Sequence, residues 1–310
     1  MSARVRRRSF LAGLASVPAV AAAAEKPPTG SPDAAAGEGP AAARPGSRLK
    51  LSCNLYSFNE PLRSGAMSLE RAIGLCAELG FDAVDPTGYY FTGYPAPPAA
   101  AYVHAIKRRA FRSGLAISGT GVRNDFTLPD AARRQEEIAH VGRWLTVASQ
   151  LGAPCLRVFD GRGEAKGPAR AQVVEWVVEA FRSCAGLGEA AGVVIAFQNH
   201  DELLKTAAEV LAVREKVGSD WFALNVDIGS LRSADPYEEI ARLAPHACTW
   251  QIKQSVYRKG VEEKTDLRRI ASILRESGYR GYLPLETLGA GDPVEKLRRW
   301  LGEVREALAG

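Results

Sequence analysis

Short apolar runs alternate eight times with longer amphipathic stretches from Arg48 almost to the end of the chain. The apolar runs predict β-strands at 50–55, 81–85, 115–120, 154–159, 193–198, 222–227, 247–253 and 281–286. The amphipathic stretches predict helices at 68–79, 99–113, 130–151, 169–191, 201–217, 235–243, 265–277 and 292–308. Strands that alternate with helices of this length indicate a parallel sheet built from β–α units.

The ends of the predicted helices carry local signals that support this division. Ser68 and Asp201 stand at N-cap positions, and glycine ends helices just before strands, as at Gly80, Gly152 and Gly192. Eight β–α units in about 260 residues are typical of a (β/α)8 TIM barrel. A doubly wound open sheet is the alternative, but no GxGxxG or GxxxxGK[ST] motif follows the first strand. We therefore predict one barrel domain over residues 48–310.

The first 24 residues have the pattern of an export signal. Arg7-Arg8-Ser9-Phe10-Leu11 matches the twin-arginine pattern RRxFL, and an apolar stretch follows that ends in alanines suited to an A-x-A cleavage site. A disordered basic tail is the alternative interpretation. The apolar stretch is too short to span a bilayer comfortably, so we expect no permanent membrane anchor. Residues 25–47 are rich in Ala, Pro and Gly and predict a disordered linker. The expected partner of this segment is the twin-arginine export machinery, and the expected location is periplasmic or secreted.

The charge and the cysteines exclude several other classes of protein. The formal net charge is +5, but four arginines lie within residues 4–8, so the rest of the chain carries +1. We therefore expect no nucleic-acid partner. The five cysteines show no CxxC spacing, which argues against a zinc knuckle or a thioredoxin-type motif. We expect them to be small buried residues. Their odd number leaves at least one thiol free or paired between chains in an exported protein, and the sequence leaves homo-oligomer formation open.

Polar side chains follow all eight predicted strands at the carboxyl end, where TIM barrels build their active sites. A barrel built only for packing does not need such a cluster, so we expect a functional site at this end. Tyr56, Tyr89, Tyr90 and Phe126 are expected to form an aromatic wall for a sugar ring. The other singled-out residues are Asn54, Arg123, Asn124, Arg157, Gln198, Asn199, His200, Asp227, Gln251, Lys253 and Glu286.

Five segments at these strand ends carry a family resemblance. They are Thr87-Gly88-Tyr89-Tyr90-Phe91, Ser118-Gly119-Thr120-Gly121-Val122-Arg123-Asn124-Asp125-Phe126, Gln198-Asn199-His200, Asn225-Val226-Asp227-Ile228-Gly229 and Leu285-Glu286-Thr287. Together they resemble a secreted, twin-arginine branch of the sugar phosphate isomerase/epimerase family of xylose isomerase-like TIM barrels. The resemblance runs from about residue 49 to residue 308 and implies an enzyme that acts on a small carbohydrate.

The resemblance also implies one divalent metal ion. Family members bind it through a Glu ending strand five, an Asp ending strand six, a His in strand seven and a Glu ending strand eight. By position these ligands are Gln198, Asp227, Gln251 and Glu286, so two of the four have become glutamine. All four still offer an oxygen, which favours Mg²⁺ or Mn²⁺ over Zn²⁺.

The two glutamines change the mechanism that the resemblance implies. Family epimerases move a proton with two carboxylates, and Gln198 cannot act as a base. We expect Glu286 to remove a proton next to a carbonyl while the metal and Lys253 stabilise the enediolate. His200 is the predicted second acid/base group. The predicted substrate-binding residues are Asn54, Tyr56, Tyr89, Arg123, Asn124, Arg157 and Asn199.

Other roles for these residues stay open. Asp227 and Glu286 could instead bind substrate without metal, or form ion pairs with Arg157 or Lys253 inside the barrel. Gln198 and Gln251 are equally suited to holding a sugar hydroxyl, and His200 could be a capping contact for the helix expected at 201.

Several functions also remain open at this stage. An isomerase or epimerase of a free sugar is preferred, a lyase acting on keto-glycosides needs only one base, and a non-catalytic carbohydrate-binding barrel needs none. An endonuclease on the same fold would use several zinc ions and many histidines, whereas this chain has four. Residues 287–292 contain two glycines but no positive charge, so we expect an unphosphorylated substrate.

Overall fold

The computed structural model describes residues 49–163, 167–200 and 202–309, so the predicted signal peptide and linker lie outside it. Its strands are β1 (Lys50–Asn54), β2 (Ala83–Asp85), β3 (Ala116–Ile117), β4 (Thr120–Gly121), β5 (Cys155–Val158), β6 (Val194–Gln198), β7 (Phe222–Asp227), β8 (Ala247–Lys253), β9 (Ser255–Arg258), β10 (Val261–Lys264) and β11 (Tyr282–Glu286). Its helices are α1 (Asn59–Arg63), α2 (Leu69–Leu79), α3 (Ala100–Arg112), α4 (Ala131–Leu151), α5 (Arg170–Ala191), α6 (Ala207–Val217), α7 (Pro236–Leu243), α8 (Leu267–Glu276) and α9 (Pro293–Ala309).

One parallel sheet forms the centre of the fold. Its strand order is β3, β2, β1, β11, β8, β7, β6, β5, β4. β3 pairs with β2 and β4 pairs with β5, while only Ser118 and Gly119 separate β3 from β4 along the chain. The two short strands are therefore halves of the single strand predicted at 115–120, and the sheet closes on itself. The predicted TIM barrel is confirmed, and the open doubly wound sheet is wrong.

The helices agree with the sequence pattern except for the short helix α1, which was not predicted, and for one helix start. Seven of the eight predicted helices begin and end within two residues of the predicted positions. The exception is α6, which was expected from 201 but begins at Ala207. Thr206 and Glu209 form a capping box there, in which the Thr206 side chain accepts from the Glu209 backbone N–H. This local cap fixes the start of the helix. Asp201 itself lies outside the described residues.

The hairpin of β9 and β10 is a feature that the sequence pattern did not predict. The two strands pair antiparallel just after β8, at the carboxyl end of the barrel. Lys259 and Gly260 form the turn with φ values of 50° and 79°. Two consecutive positive φ values are typical of the two-residue turns that match strand twist. The hairpin is polar and largely exposed, so it lacks the apolar run that identifies the barrel strands.

Side chains alternate between the outside and the inside of the barrel. In β7, the ring of Phe222 packs against Phe181 of α5, with ring centroids 4.8 Å apart. Asp227, five residues further along the strand, points inward and bonds Lys253 of β8. Because strand residues alternate in direction, the apolar members of each strand support the helices and the polar members fill the barrel. The buried polar side chains of the strands therefore lie together inside the barrel.

Candidate functional site

A cavity of about 810 Å³ opens at the carboxyl end of the barrel strands. This volume is in the range of pockets that hold small molecules. Nine of the singled-out residues contribute to its wall, namely Tyr56, Tyr89, Arg123, Arg157, Gln198, His200, Gln251, Lys253 and Glu286. The wall also contains residues that the sequence pattern did not single out, namely Asn59, Arg63, Tyr94, Phe159, Arg162 and Leu288.

Lys253 is the cation in the floor of this cavity. The strand register places Lys253 beside Glu286 of β11. The register of β7 and β8 places Asp227 beside Gln251. Lys253 Nζ lies 2.7 Å from Asp227 Oδ2 and 3.5 Å from Glu286 Oε1. Burial opposes the charged form of Lys253, but the charges of the two carboxylates outweigh burial and raise its pKa. Lys253 is therefore an ammonium ion at neutral pH.

Asp227 is fully buried beneath the cavity floor. Its Oδ2 accepts hydrogen bonds from Lys253 Nζ at 2.7 Å, Gln198 Nε2 at 2.7 Å and Ser230 Oγ at 2.8 Å. Its Oδ1 accepts from the backbone N–H of Gly229 at 3.0 Å. Burial alone would raise the pKa of this carboxyl, but the charge of Lys253 and the hydrogen bonds lower it. Asp227 thus accepts four hydrogen bonds, three of them at Oδ2.

Glu286 is the carboxylate that faces the cavity. Gln251 donates a hydrogen bond from Nε2 to Glu286 Oε2. Asn225 orients the Gln251 amide by donating from Nδ2 to its Oε1 at 3.0 Å. The other Glu286 oxygen, Oε1, lies 3.5 Å from Lys253 Nζ, which is longer than a hydrogen bond of good geometry. Oε1 is therefore the less engaged oxygen of Glu286.

Arg157 forms a second buried ion pair beside this network. Its Nη1 lies 2.6 Å from Asp85 Oδ2, and its Nη2 donates to Thr87 Oγ1 at 3.2 Å. Gly121 leaves room for the guanidinium, because a Cβ at that position would lie 2.9 Å from Arg157 Nε. Burial disfavours the charge on Arg157, but the charge of Asp85 outweighs it and raises the pKa. The cavity therefore has a fixed guanidinium in its wall.

His200 and Arg123 share one acidic partner at the cavity wall. His200 Nδ1 lies 3.5 Å from Glu202 Oε1, and the His200 ring meets Phe159 edge-on at 5.2 Å between centroids. Glu202 also pairs with Arg123, whose guanidinium lies 4.4 Å from the Phe159 ring centroid. Because α6 begins at Ala207, the alternative role of His200 as a helix cap does not apply.

The aromatic wall differs in part from the one expected. Tyr56 and Tyr89 lie in the cavity wall, where Tyr94 and Phe159 join them. Tyr90 instead donates its hydroxyl to Asn59 Oδ1 at 2.9 Å. Phe126 is fully buried and packs against Phe181 at 5.6 Å between centroids. Burial raises the pKa of Tyr89, so its hydroxyl is neutral and able to donate.

Three asparagines predicted to bind substrate lie behind the wall. Asn54 accepts from the Tyr56 backbone N–H at 2.9 Å and caps the turn that follows β1. Asn124 bonds both backbone groups of Phe159, at 2.7 and 2.9 Å. Asn199 does the same for Asp227, at 3.0 and 2.9 Å. All three asparagines are buried, and the amides of Asn124 and Asn199 join separate segments of backbone, so the structure places the three in supporting positions.

The residues at the predicted metal position do not fit a divalent cation. Lys253 bridges the two carboxylates, and the amide nitrogens of Gln198 and Gln251 donate to the same carboxylates. Mg²⁺ requires converging oxygens, but the groups that converge here on Asp227 and Glu286 are N–H donors. In the part of the chain that the structure describes, no group of three or more His, Cys, Asp or Glu side chains could hold a metal ion. The arrangement is the ion pair with Lys253 that the sequence left as an alternative.

Sequence reasoning missed the partners that hold the charged wall residues. Asp85 and Glu202 neutralise Arg157 and Arg123, and Tyr94 accepts the Arg123 backbone N–H at 2.9 Å. Asp85 ends the predicted strand 81–85 and Arg157 lies near the end of the strand 154–159, so their common position in the polar ring was a signal for an ion pair. Glu202 and Tyr94 lie in loops, where the strand periodicity gives no indication of direction.

The described helices contain no segment long and apolar enough to cross a membrane. The five cysteines are all free, and four of them are buried.

Comparison with known proteins identifies a family model that matches most of the chain. Residues 73–304 match the family model described as the xylose isomerase-like TIM barrel. No curated protein sequence matches the chain. Among solved structures, the D-psicose 3-epimerase with D-tagatose from Clostridium cellulolyticum H10 is 16% identical with a TM-score of 0.71, covering 84% of this chain and 99% of that chain.

Two further solved structures share the fold. The 3-keto-D-glucoside 4-epimerase from E. coli is 14% identical with a TM-score of 0.68, covering 84% of this chain and 100% of that one. A xylose isomerase-like TIM barrel protein from Mycobacterium smegmatis, in complex with magnesium, is 18% identical with a TM-score of 0.62, covering 84% and 98%. At these low sequence identities, the TM-scores show that the proteins share the barrel fold.

Proposed function

The chain belongs to the xylose isomerase-like TIM barrel family, and from that premise we propose that it is a carbohydrate isomerase or epimerase. Its proposed substrate is a small, unphosphorylated sugar with a carbonyl group. The observation that carries the proposal is the pair of Glu286 and Lys253, a carboxylate and an ammonium side by side in one cavity. A base next to a cation is what proton removal beside a carbonyl requires.

The proposed reaction uses each member of this pair for one task. The substrate carbonyl oxygen accepts a hydrogen bond from the Lys253 ammonium. Glu286 takes the proton from the neighbouring carbon, and the electron pair of that C–H bond moves towards the carbonyl oxygen, giving an enediolate. The raised pKa of Lys253 keeps its charge in place throughout. Return of the proton to the opposite face of the same carbon completes epimerisation. In isomerisation the proton returns to the former carbonyl carbon, while the proton of the neighbouring hydroxyl moves to the former carbonyl oxygen and leaves a new carbonyl. No step passes through a metal ion, because the donor set does not fit one.

The remaining wall supplies groups that suit a sugar. Tyr56, Tyr89 and Phe159 offer ring surfaces to the apolar face of a pyranose or furanose, and Arg157 offers donors to its oxygens. Because Asp85 already holds Arg157, the Arg157 side chain need not be ordered when the ligand binds. His200 in the same wall is the proposed second proton carrier.

Elimination from a keto-glycoside is the second candidate function. One observation favours it: Glu286 is the single carboxylate that lines the cavity in the described ranges of the chain. Elimination needs one base to remove the proton beside the carbonyl, and the aglycone oxygen then leaves as the double bond forms. The amide of Gln198 cannot supply the second base of a symmetrical epimerase.

Turnover of a sugar panel tests the proposal. Purified protein is incubated with D-psicose, D-tagatose, D-fructose and 3-keto-D-glucosides, and products are separated by chromatography. We expect a new sugar isomer, and we expect Glu286→Gln to lower its rate of formation at least about 100-fold. Glu306→Gln, on the exposed face of α9, is the matched control and should keep full activity. Release of aglycone would favour the lyase, and binding without turnover of any sugar would contradict both enzymes.

A further inference from the structure

Gly229 gives the aliphatic chain of Lys253 a fixed path to the carboxylates. A Cβ at position 229 would lie 2.6 Å from Lys253 Cδ and 3.1 Å from the backbone oxygen of Ser255. Glycine is therefore the residue that leaves room for the lysine at this point. Thr265 Oγ1 adds a hydrogen bond to the Lys253 backbone oxygen at 2.7 Å, so the strand is held as well as the side chain. Gly229 and Thr265 therefore both favour the inward position of Lys253.

Carboxylate oxygens of Asp227 and Glu286 surround the Lys253 ammonium and suit it as hydrogen-bond and charge partners. Asp227 already accepts four hydrogen bonds, from Lys253, Gln198, Ser230 and the Gly229 backbone. A metal ion in the same place would have to displace these donors. The Lys253 side chain is only 11% exposed and lies against both carboxylates.

The charge balance points the same way. Two carboxylates, Asp227 and Glu286, face one ammonium, while Gln198 and Gln251 bring no charge to the positions where the family resemblance implies two further metal ligands. A divalent ion added beside Lys253 would place three positive charges against two negative ones. Gln198 Oε1 is the buried oxygen of this set that lacks a hydrogen-bond partner, and a single amide oxygen is a weak ligand.

We propose that the ammonium of Lys253 replaces the divalent metal ion in this member of the family, so that the site binds no Mn²⁺ or Mg²⁺. The two carboxylates that would bind a metal instead orient this cation. Where the proposed function holds, Lys253 is also the group that stabilises the charge on the substrate oxygen, and catalysis is metal-independent. The statement about binding stands apart from that reaction, because it concerns the protein without substrate.

Paramagnetic Mn²⁺ tests this proposal at Lys253 itself. The full chain is labelled with ¹⁵N-lysine, and the Lys253 ammonium signal is assigned as the one missing in Lys253→Arg. Manganese within a few ångströms broadens a nuclear signal beyond detection. We expect the Lys253 signal to survive millimolar Mn²⁺, and we expect titration calorimetry on EDTA-dialysed protein to show no saturable binding.

Two results would overturn the proposal. One is loss of the Lys253 signal at about one equivalent of Mn²⁺. The other is saturable binding of about one Mn²⁺ per chain that disappears in Asp227→Asn. Manganese binding that Asp227→Asn leaves unchanged is located elsewhere and agrees with the proposal. An enzyme that proves inactive on every sugar leaves these readouts intact, so the two proposals can fail separately.

Discussion

Lys253 neutralises buried carboxylates, so its loss should cost free energy of folding. Lys253→Met removes the charge that faces Asp227 and Glu286 and leaves a fully buried carboxylate without its cation. Breaking a buried ion pair from one side costs about 3 kcal/mol or more. We expect a loss of this size in the free energy of unfolding, measured by urea denaturation. Lys205→Met, at an exposed position, is the control and should change it by less than about 0.5 kcal/mol.

Asp160 makes stability depend on pH in a predictable direction. Burial raises the pKa of its carboxyl from 3.8 to about 6, although Leu203 and Leu204 donate backbone hydrogen bonds that oppose the shift. A raised pKa in the folded state gives stability that is present below pH 4 and is lost as the pH rises through 6. Asp160→Asn removes this dependence. Its free energy of unfolding should gain about 3 kcal/mol relative to wild type between pH 4 and pH 7.

Urea denaturation of both proteins at several pH values measures this difference. Equal pH profiles for the variant and wild type would show that Asp160 ionises normally.

The individual residues also show what sequence reasoning could identify. Strand-end position correctly brought Gln198, Asp227, Gln251, Lys253 and Glu286 together, because parallel strands end at one rim. It could not separate side chains that face the cavity from those that bond to neighbouring backbone. The second group includes Asn54, Asn124 and Asn199, which lie at the same rim and are equally polar.

At the scale of secondary structure, asparagines connect successive strand ends. Asn199, just after β6, bonds both backbone groups of Asp227 at the end of β7. Asn199→Ala should cost about 2 kcal/mol of unfolding free energy, because it leaves the buried Asp227 N–H without a partner and leaves its carbonyl only the Ser230 N–H at 3.4 Å. Gln172→Ala, on the exposed side of α5, is the control. A rise in KM without loss of stability would instead indicate that Asn199 contacts the substrate.

The secondary-structure elements that could be predicted are those with a periodic pattern of apolar residues. The eight barrel strands and the helices α2 to α9 were predictable, since each has an apolar face of the correct period, whereas the short helix α1 has no buried residue. The third strand was predicted as one piece but forms two short ladders, β3 and β4. The hairpin of β9 and β10 escaped prediction because its two short strands are mostly polar and carry no clear apolar alternation. The start of α6 was missed because the capping box at Thr206 and Glu209 outweighs the earlier N-cap signal.

At the scale of the whole molecule, the barrel follows a segment that we propose directs export. This segment lies outside the described residues, so the proposal rests on its sequence. Replacing Arg7 and Arg8 together by lysine should leave the protein in the cytoplasm, because the twin-arginine pattern depends on both. Cell fractionation followed by immunoblotting measures this. Arg4→Lys is the matched control and should be exported normally. Export of the double variant at the wild-type level would contradict the proposal.

The central claim is that Glu286 removes a proton beside a sugar carbonyl while Lys253 stabilises the charge on the oxygen, without a metal ion. Incubation of EDTA-dialysed protein with a sugar that it turns over, in D₂O, tests this most directly. The account predicts deuterium at the carbon next to the carbonyl, detected by NMR, and at least about a 100-fold slower exchange in Glu286→Gln. Turnover without deuterium in the product, or exchange that requires added Mn²⁺, would contradict it.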